Sequence, residues 1–181
     1  DLSRDLDAAR GDAYYQAEDF PKAVESYQTS LRALGVDVVD QAEVPPRVFF
    51  NLASSCDRIG ARADAKRYYA EYLRRDQSSE QAGQVYYFLA TIARGENNVA
   101  LATRYLQEAS RLSGGSTGGF NRAAFEAAEL LFRNEDYAEA VGRYSELAER
   151  AENDSLKQYL LSRVAVCYFR LNNTKEADAR A

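Results

Sequence analysis

Histidine, methionine and tryptophan are absent from this chain of 181 residues. Without histidine there is no Ser-His-Asp or Cys-His nucleophile system and no histidine-based metal site. With no methionine, and no basic-then-apolar signal segment at Asp1, the expectation is a processed chain or an excised fragment of a longer protein. Three prolines and ten glycines exclude collagen-like or linker-dominated architectures, and no run of eighteen apolar residues is present to span a membrane. Lysine is scarce: only Lys22, Lys66, Lys157 and Lys175 among 23 basic residues. With the many alanines, this points to a high-GC, bacterial coding sequence. The net charge of −5, with acid spread along the chain, argues against a nucleic-acid partner. At 46% hydrophobic and 28% charged, the composition is globular rather than disordered.

What is present is a repeat. One copy runs Gly11, Asp12, Tyr14, Tyr15, then Glu18-Asp19-Phe20, then Ala23 and Tyr27. A second holds Leu52-Ala53, Gly60, Ala65 and Tyr69; a third Leu89-Ala90, Asn97, Ala102 and Leu106. The fourth holds Ala128, Leu131, Asn134-Glu135-Asp136, Ala140 and Tyr144; the fifth Ala165, Tyr168, Asn172-Asn173 and Ala177. Apolar spacings of three and four, without alternating β-branched runs, predict two amphipathic helices per copy joined by a tight turn. Gly11, Ala53, Ala90, Ala128 and Ala165 mark where the first helix approaches the second. Ala23, Ala65, Ala102, Ala140 and Ala177 answer from the second. These alanines are spaced by 42, 37, 38 and 37 residues.

The pattern resembles the tetratricopeptide repeat, from about Leu6 to Ala181. The expected fold is all-α: one right-handed superhelical solenoid of about five hairpins, at 4–40, 46–77, 83–113, 121–152 and 158–181, the last incomplete. The extra length over the usual period of about 34 falls between pairs, in Leu34 to Pro46 and Ser113 to Asn121, with Pro46 suited to the first turn of a helix.

The resemblance implies a concave face lined by first helices. The residues it assigns to a partner-binding groove are Tyr15, Arg47, Phe50, Arg58, Tyr87, Arg94, Arg122, Phe125, Phe132, Arg133, Tyr159, Phe169 and Arg170. Among the inward positions the acids are Asp5, Asp12, Asp57 and Glu129. Tyr, Phe and Arg are enriched where proteins bind proteins, so a segment with acidic and apolar side chains is the expected partner. The competing reading has Phe50, Tyr87, Phe125 and Tyr159 packing between adjacent first helices. The resemblance also excludes one ligand: the positions matching the two-carboxylate clamp of chaperone-binding domains are Ala8, Asp12, Asn51, Gln84 and Phe88, of which only Asn51 agrees.

Other motifs reduce to structure. Gly114-Gly115-Ser116-Thr117-Gly118-Gly119 lacks the Gly-Lys-Ser/Thr ending of a phosphate loop and reads as a connector. Glu18-Asp19 and Glu135-Asp136 recur at the same turn, so they are turn residues rather than a general acid and base. Cys56 and Cys167 fall three helix-to-helix steps apart, at about 8–10 Å each, beyond the reach of a disulfide; both are expected reduced and buried. The expectation is a non-catalytic scaffold without cofactor or metal, possible as an oligomer. The alternative is a structural subunit of a bacterial envelope or motility assembly, packing by its ends and convex face.

Overall fold

The computed structural model describes residues 2–33, 44–113 and 121–178, with side chains over 5–33, 44–113 and 121–172. Among these residues there are helices and no strands. In order they are α1 (Leu2–Gln16), α2 (Phe20–Arg32), α3 (Pro46–Arg58), α4 (Arg62–Arg75), α5 (Glu80–Gly95), α6 (Val99–Ser113), α7 (Arg122–Arg133), α8 (Tyr137–Glu149) and α9 (Asp154–Asp178). The first eight form four hairpins, and the fold is an all-helical repeat as expected. The connector segments 34–43 and 114–120, including the glycine-rich stretch, lie outside the described residues.

Local chemistry sets the helix ends. Each hairpin turn holds one residue at positive φ: Glu18 (57°), Gly60 (80°), Asn97 (58°) and Glu135 (67°). The next residue's N–H donates to the carbonyl five residues back: Asp19 to Tyr14, Ala61 to Cys56, Asn98 to Ala93 and Asp136 to Leu131, at 2.8–3.0 Å. This closes the last turn of each first helix and reverses the chain. Several of the starts are capped by side chains. Asn121 accepts from the N–H of Ala124 at 3.0 Å, Asn98 from Leu101 at 3.1 Å, Ser79 from Ala82 at 3.0 Å and Asn153 from Leu156 at 2.8 Å. Pro46 opens α3, where its missing N–H costs nothing.

The chain divides into two compact units, Asp1–Val85 and Tyr86–Ala181. In the first, Ala23, Tyr27, Phe49, Leu52, Ala53, Ala65 and Tyr69 are wholly buried. Gly11 is a true close approach: a Cβ there would stand 2.6 Å from the Tyr27 ring. In the second, one cluster joins Ala90, Leu106, Ala109, Ala123 and Ala127, and another joins Ala128, Leu131, Tyr137, Ala140, Tyr144, Leu160 and Cys167. Cys56 and Cys167 are free and buried, as expected. Burial pushes the Cys56 thiol up to about 11 and raises that of Cys167 as well.

One expectation fails. The turn at Asn172-Asn173 does not form, and α9 runs unbroken for 25 residues to Asp178. Asn172 occupies the position that Glu135 holds in the fourth hairpin, yet it stays within the helix. Asparagine tolerates a positive φ without requiring it and is also admitted within helices, so the Asn172-Asn173 pair is compatible with a continued helix.

Candidate functional site

In the first unit the first helices α1 and α3 meet through Asp12. Its carboxylate accepts from Tyr27 Oη at 2.7 Å, Asn51 Nδ2 at 3.1 Å and the Arg47 guanidinium. Burial alone would raise the Asp12 pKa, but the hydrogen bonds from Tyr27, Arg47 and Asn51 outweigh it, and it falls below the usual carboxylate range. Tyr15 donates to Ser54 Oγ at 3.3 Å and sets its ring edge-on to Phe20, 6.1 Å between centroids; Arg58 lies over Phe20 at 5.4 Å. Phe50 turns inward, edge-on to Tyr69 and Tyr72 of α4.

The second unit carries two such hubs. Glu126 of α7 accepts from Tyr87 Oη at 2.6 Å and Arg122 Nε at 2.9 Å, and Arg94 approaches its other oxygen at 3.7 Å. Burial and this bond raise the Tyr87 pKa. Glu129, one turn later, accepts from Tyr144 Oη at 2.6 Å and Arg163 Nη2 at 2.9 Å. Arg163 also stacks on Phe132, 4.0 Å from its centroid, while Phe132 meets Tyr137 edge-on at 5.4 Å. Phe125 packs on Tyr144 and on Tyr159 of α9.

The assigned groove residues therefore sort into two groups. Phe50, Phe125 and Phe132 are half-buried in helix packing, and Tyr15 and Tyr87 are half-buried and hydrogen-bonded. Arg47, Arg58, Arg94, Arg122, Arg133, Tyr159, Phe169 and Arg170 are exposed. Phe169, at 62%, is the most exposed large hydrophobic side chain among the described residues. Reading the sequence position by position missed Glu126 and Arg163. It set the arginines of this face against four acids without pairing them, whereas Arg47 meets the Asp12 carboxylate and Arg94 and Arg122 meet that of Glu126. A signal for the hubs was present: an acid followed fifteen residues later by tyrosine, Asp12 to Tyr27 and Glu129 to Tyr144, in two copies of the repeat.

Elsewhere in this unit a partly open cavity of about 340 Å³ lies between α6, α7, α8 and the start of α9, with Arg111, Arg143, Arg150, Asn121, Leu147 and Leu156 in its wall. Among the described residues no cluster of three His, Cys, Asp or Glu side chains is placed to hold a metal ion, and no helix is long and apolar enough to cross a membrane.

Hairpins with this turn, these small-residue contacts and these first-helix faces define the tetratricopeptide-repeat fold. No protein-family model matches the chain, and no curated protein matches it. Solved structures do. The crystal structure of MamA is similar over 96% of this chain and 94% of its own, with a TM-score of 0.61 and 15% identity. The C-terminal part of a TPR repeat-containing protein from Cytophaga hutchinsonii aligns over 92% of this chain and 60% of its own, with a TM-score of 0.68 and 16% identity. YrrB, described as a TPR protein with an unusual peptide-binding site, covers 90% of this chain and 75% of its own, with a TM-score of 0.62 and 18% identity. Likeness at these identities establishes the fold.

Proposed function

We propose that this chain is a non-catalytic protein-interaction scaffold whose first-helix faces bind a segment rich in carboxylates and apolar side chains. The observation that carries this reading is the state of three arginines. Arg47, Arg94 and Arg122 keep 57%, 50% and 76% of their side chains exposed while each reaches an acid. An exposed ion pair contributes about 0–1 kcal/mol, so a second carboxylate can share or take such a guanidinium at little cost. The Tyr87–Glu126 bond is a short hydrogen bond to an ionised acceptor, a class that contributes about 1.5–3 kcal/mol, and it holds the acid in place meanwhile. Exposed Arg133, Tyr159 and Phe169 add charge and apolar area of the kinds that anchor interfaces. The peptide-binding description of YrrB supports the same class of ligand.

The test is isothermal titration of the chain with a synthetic peptide alternating Glu and Leu. Binding should weaken with added salt, and by about tenfold or more, equivalent to about 1.4 kcal/mol, in the Arg122→Glu, Arg133→Glu double variant. A peptide with Lys in place of Glu should not bind. If the double variant binds the acidic peptide as tightly as the parent, the reading fails.

A further inference from the structure

The cavity between α6, α7, α8 and the start of α9 stands where other copies of the repeat hold large side chains. Four residues before the small residue of each first helix come Phe49, Tyr86 and Ala124; one residue before it come Leu52, Leu89 and Ala127. In α3 Phe49 and Leu52 are wholly buried. In α5 Tyr86 packs against Tyr105 of α6, 6.1 Å between ring centroids. In α7 both positions are alanine, and both alanines line the cavity. A ring and a branched side chain are thus missing from the fourth copy. The space of about 340 Å³ lies at the lower end of the range for small-molecule sites, roughly 300–1,000 Å³. Its walls belong to the third and fourth hairpins and to the stretch 151–156, away from Leu161 and Tyr168 exposed further along α9.

The fourth copy lacks the ring but retains the arginine that goes with it. Arg75, at the end of α4, lies over the Phe49 ring, 4.1 Å from its centroid, and donates to Glu71 at 2.8 Å. A guanidinium offers its face to a ring and its edge to a carboxylate at once, and Arg75 uses both. Its counterpart at the end of α8 is Arg150, whose ring position is Ala124. The acid at the position of Glu71 is Glu146, which approaches Arg143 instead, at 3.9 Å. Arg150 is exposed in the cavity wall and pairs with no acid among the described residues. Of the other arginines there, Arg111 is held by Glu108 at 2.9 Å, whereas Arg143 meets Glu139 only at 3.6 Å. Glu152 is the remaining acid of the wall.

We propose that this cavity binds a small aromatic carboxylate. The ring lies against Ala124 and Ala127 beneath Arg150, as the Phe49 ring lies beneath Arg75, and the carboxylate pairs with Arg150. Such a ligand supplies from outside the two partners that Arg75 finds within the chain. Ring against guanidinium and guanidinium against carboxylate are both favourable contacts at a partly desolvated site. The site is separate from the first-helix faces and takes one small molecule rather than a chain segment.

The test is fluorescence titration of the chain with 2-naphthoate. One molecule should bind per chain, and Arg150→Gln should weaken it about tenfold or more, the loss of one charge-assisted pair. Ala124→Phe, which puts the ring of the second copy into the cavity, should abolish binding with helix content unchanged by circular dichroism. Ala127→Leu should do the same with a smaller side chain. The neutral 2-naphthylmethanol and the ringless cyclohexanecarboxylate should each bind about tenfold or more weakly. No saturation up to about 1 mM 2-naphthoate, equal affinity for either analogue, or binding indifferent to both filling substitutions overturns the proposal. Binding that appears only after Phe120→Ala also overturns it and gives the space to a ring of the chain itself. The Ala124→Phe variant should still bind the Glu-Leu peptide, so this inference and the groove reading can fail separately.

Discussion

Asp12 is held ionised by a phenol, an amide and a guanidinium at once. Its pKa lies below the ordinary carboxylate value, so folding is favoured by its ionisation. The sign follows from linkage: a depressed folded pKa gives stability that is complete above the unfolded value near 3.9 and is lost as pH falls through the folded value. Thermal melts of the parent and of Asp12→Asn should therefore differ by a constant amount between about pH 5 and 7 and converge below about pH 4. A gap that persists unchanged into acid would mean that the carboxylate contributes through shape rather than charge. The sequence shows the residue types at these sites but not their pairings. Asp12 reads as one of four acids diluting a positive face, because a contact 39 residues away along the chain, to Asn51, leaves no local trace. Only the recurrence of the fifteen-residue spacing to tyrosine carries the information, and it must be sought across copies.

Helices and turns were far more legible, because their causes are local. Each of the four turns that form is marked by residues that accept a positive φ or cap the next helix, and the turns stand where Glu18-Asp19, Gly60, Asn97-Asn98 and Glu135-Asp136 predict. The fifth is marked by Asn172-Asn173 just as clearly and does not form, since asparagine permits a positive φ without requiring it. Capping makes the local contribution measurable. Asn121 accepts from the N–H of Ala124 and donates through Nδ2 to the carbonyl of Ser110 at 3.0 Å, tying the start of α7 to α6. Replacing it with alanine should lower the free energy of unfolding by about 1–2 kcal/mol, read from urea melts at unchanged slope. A loss below a few tenths would assign the work at this end of α7 to the packing of Ala123 and Ala127 alone.

At the scale of the chain, each compact unit contains one cysteine, Cys56 in the first and Cys167 in the second. Burial keeps both thiols protonated at neutral pH, so a thiol reagent should find neither in the native protein and both after denaturation. In subdenaturing urea, with the chain dilute, mass spectrometry should show Cys167 labelled ahead of Cys56, because α9 leaves Leu161, Val166 and Tyr168 exposed whereas Phe49, Leu52 and Ala53 of α3 are buried. Equal labelling would make the chain one cooperative body. The acid hubs impose a further condition on how such a chain can be rearranged. Asn51 and Arg163 occupy the same place in their copies, and each donates to the acid of the copy before it, Asp12 and Glu129. The residues at the position of Asp12 and Glu129 in the second and third copies are Ser54 and Thr91, which offer a hydroxyl where a guanidinium needs a carboxylate. The copies therefore have a reading order: shuffling, duplicating or deleting one would leave half-buried Arg163 facing a neighbour that cannot neutralise it, although every hairpin turn would still be correctly spelled.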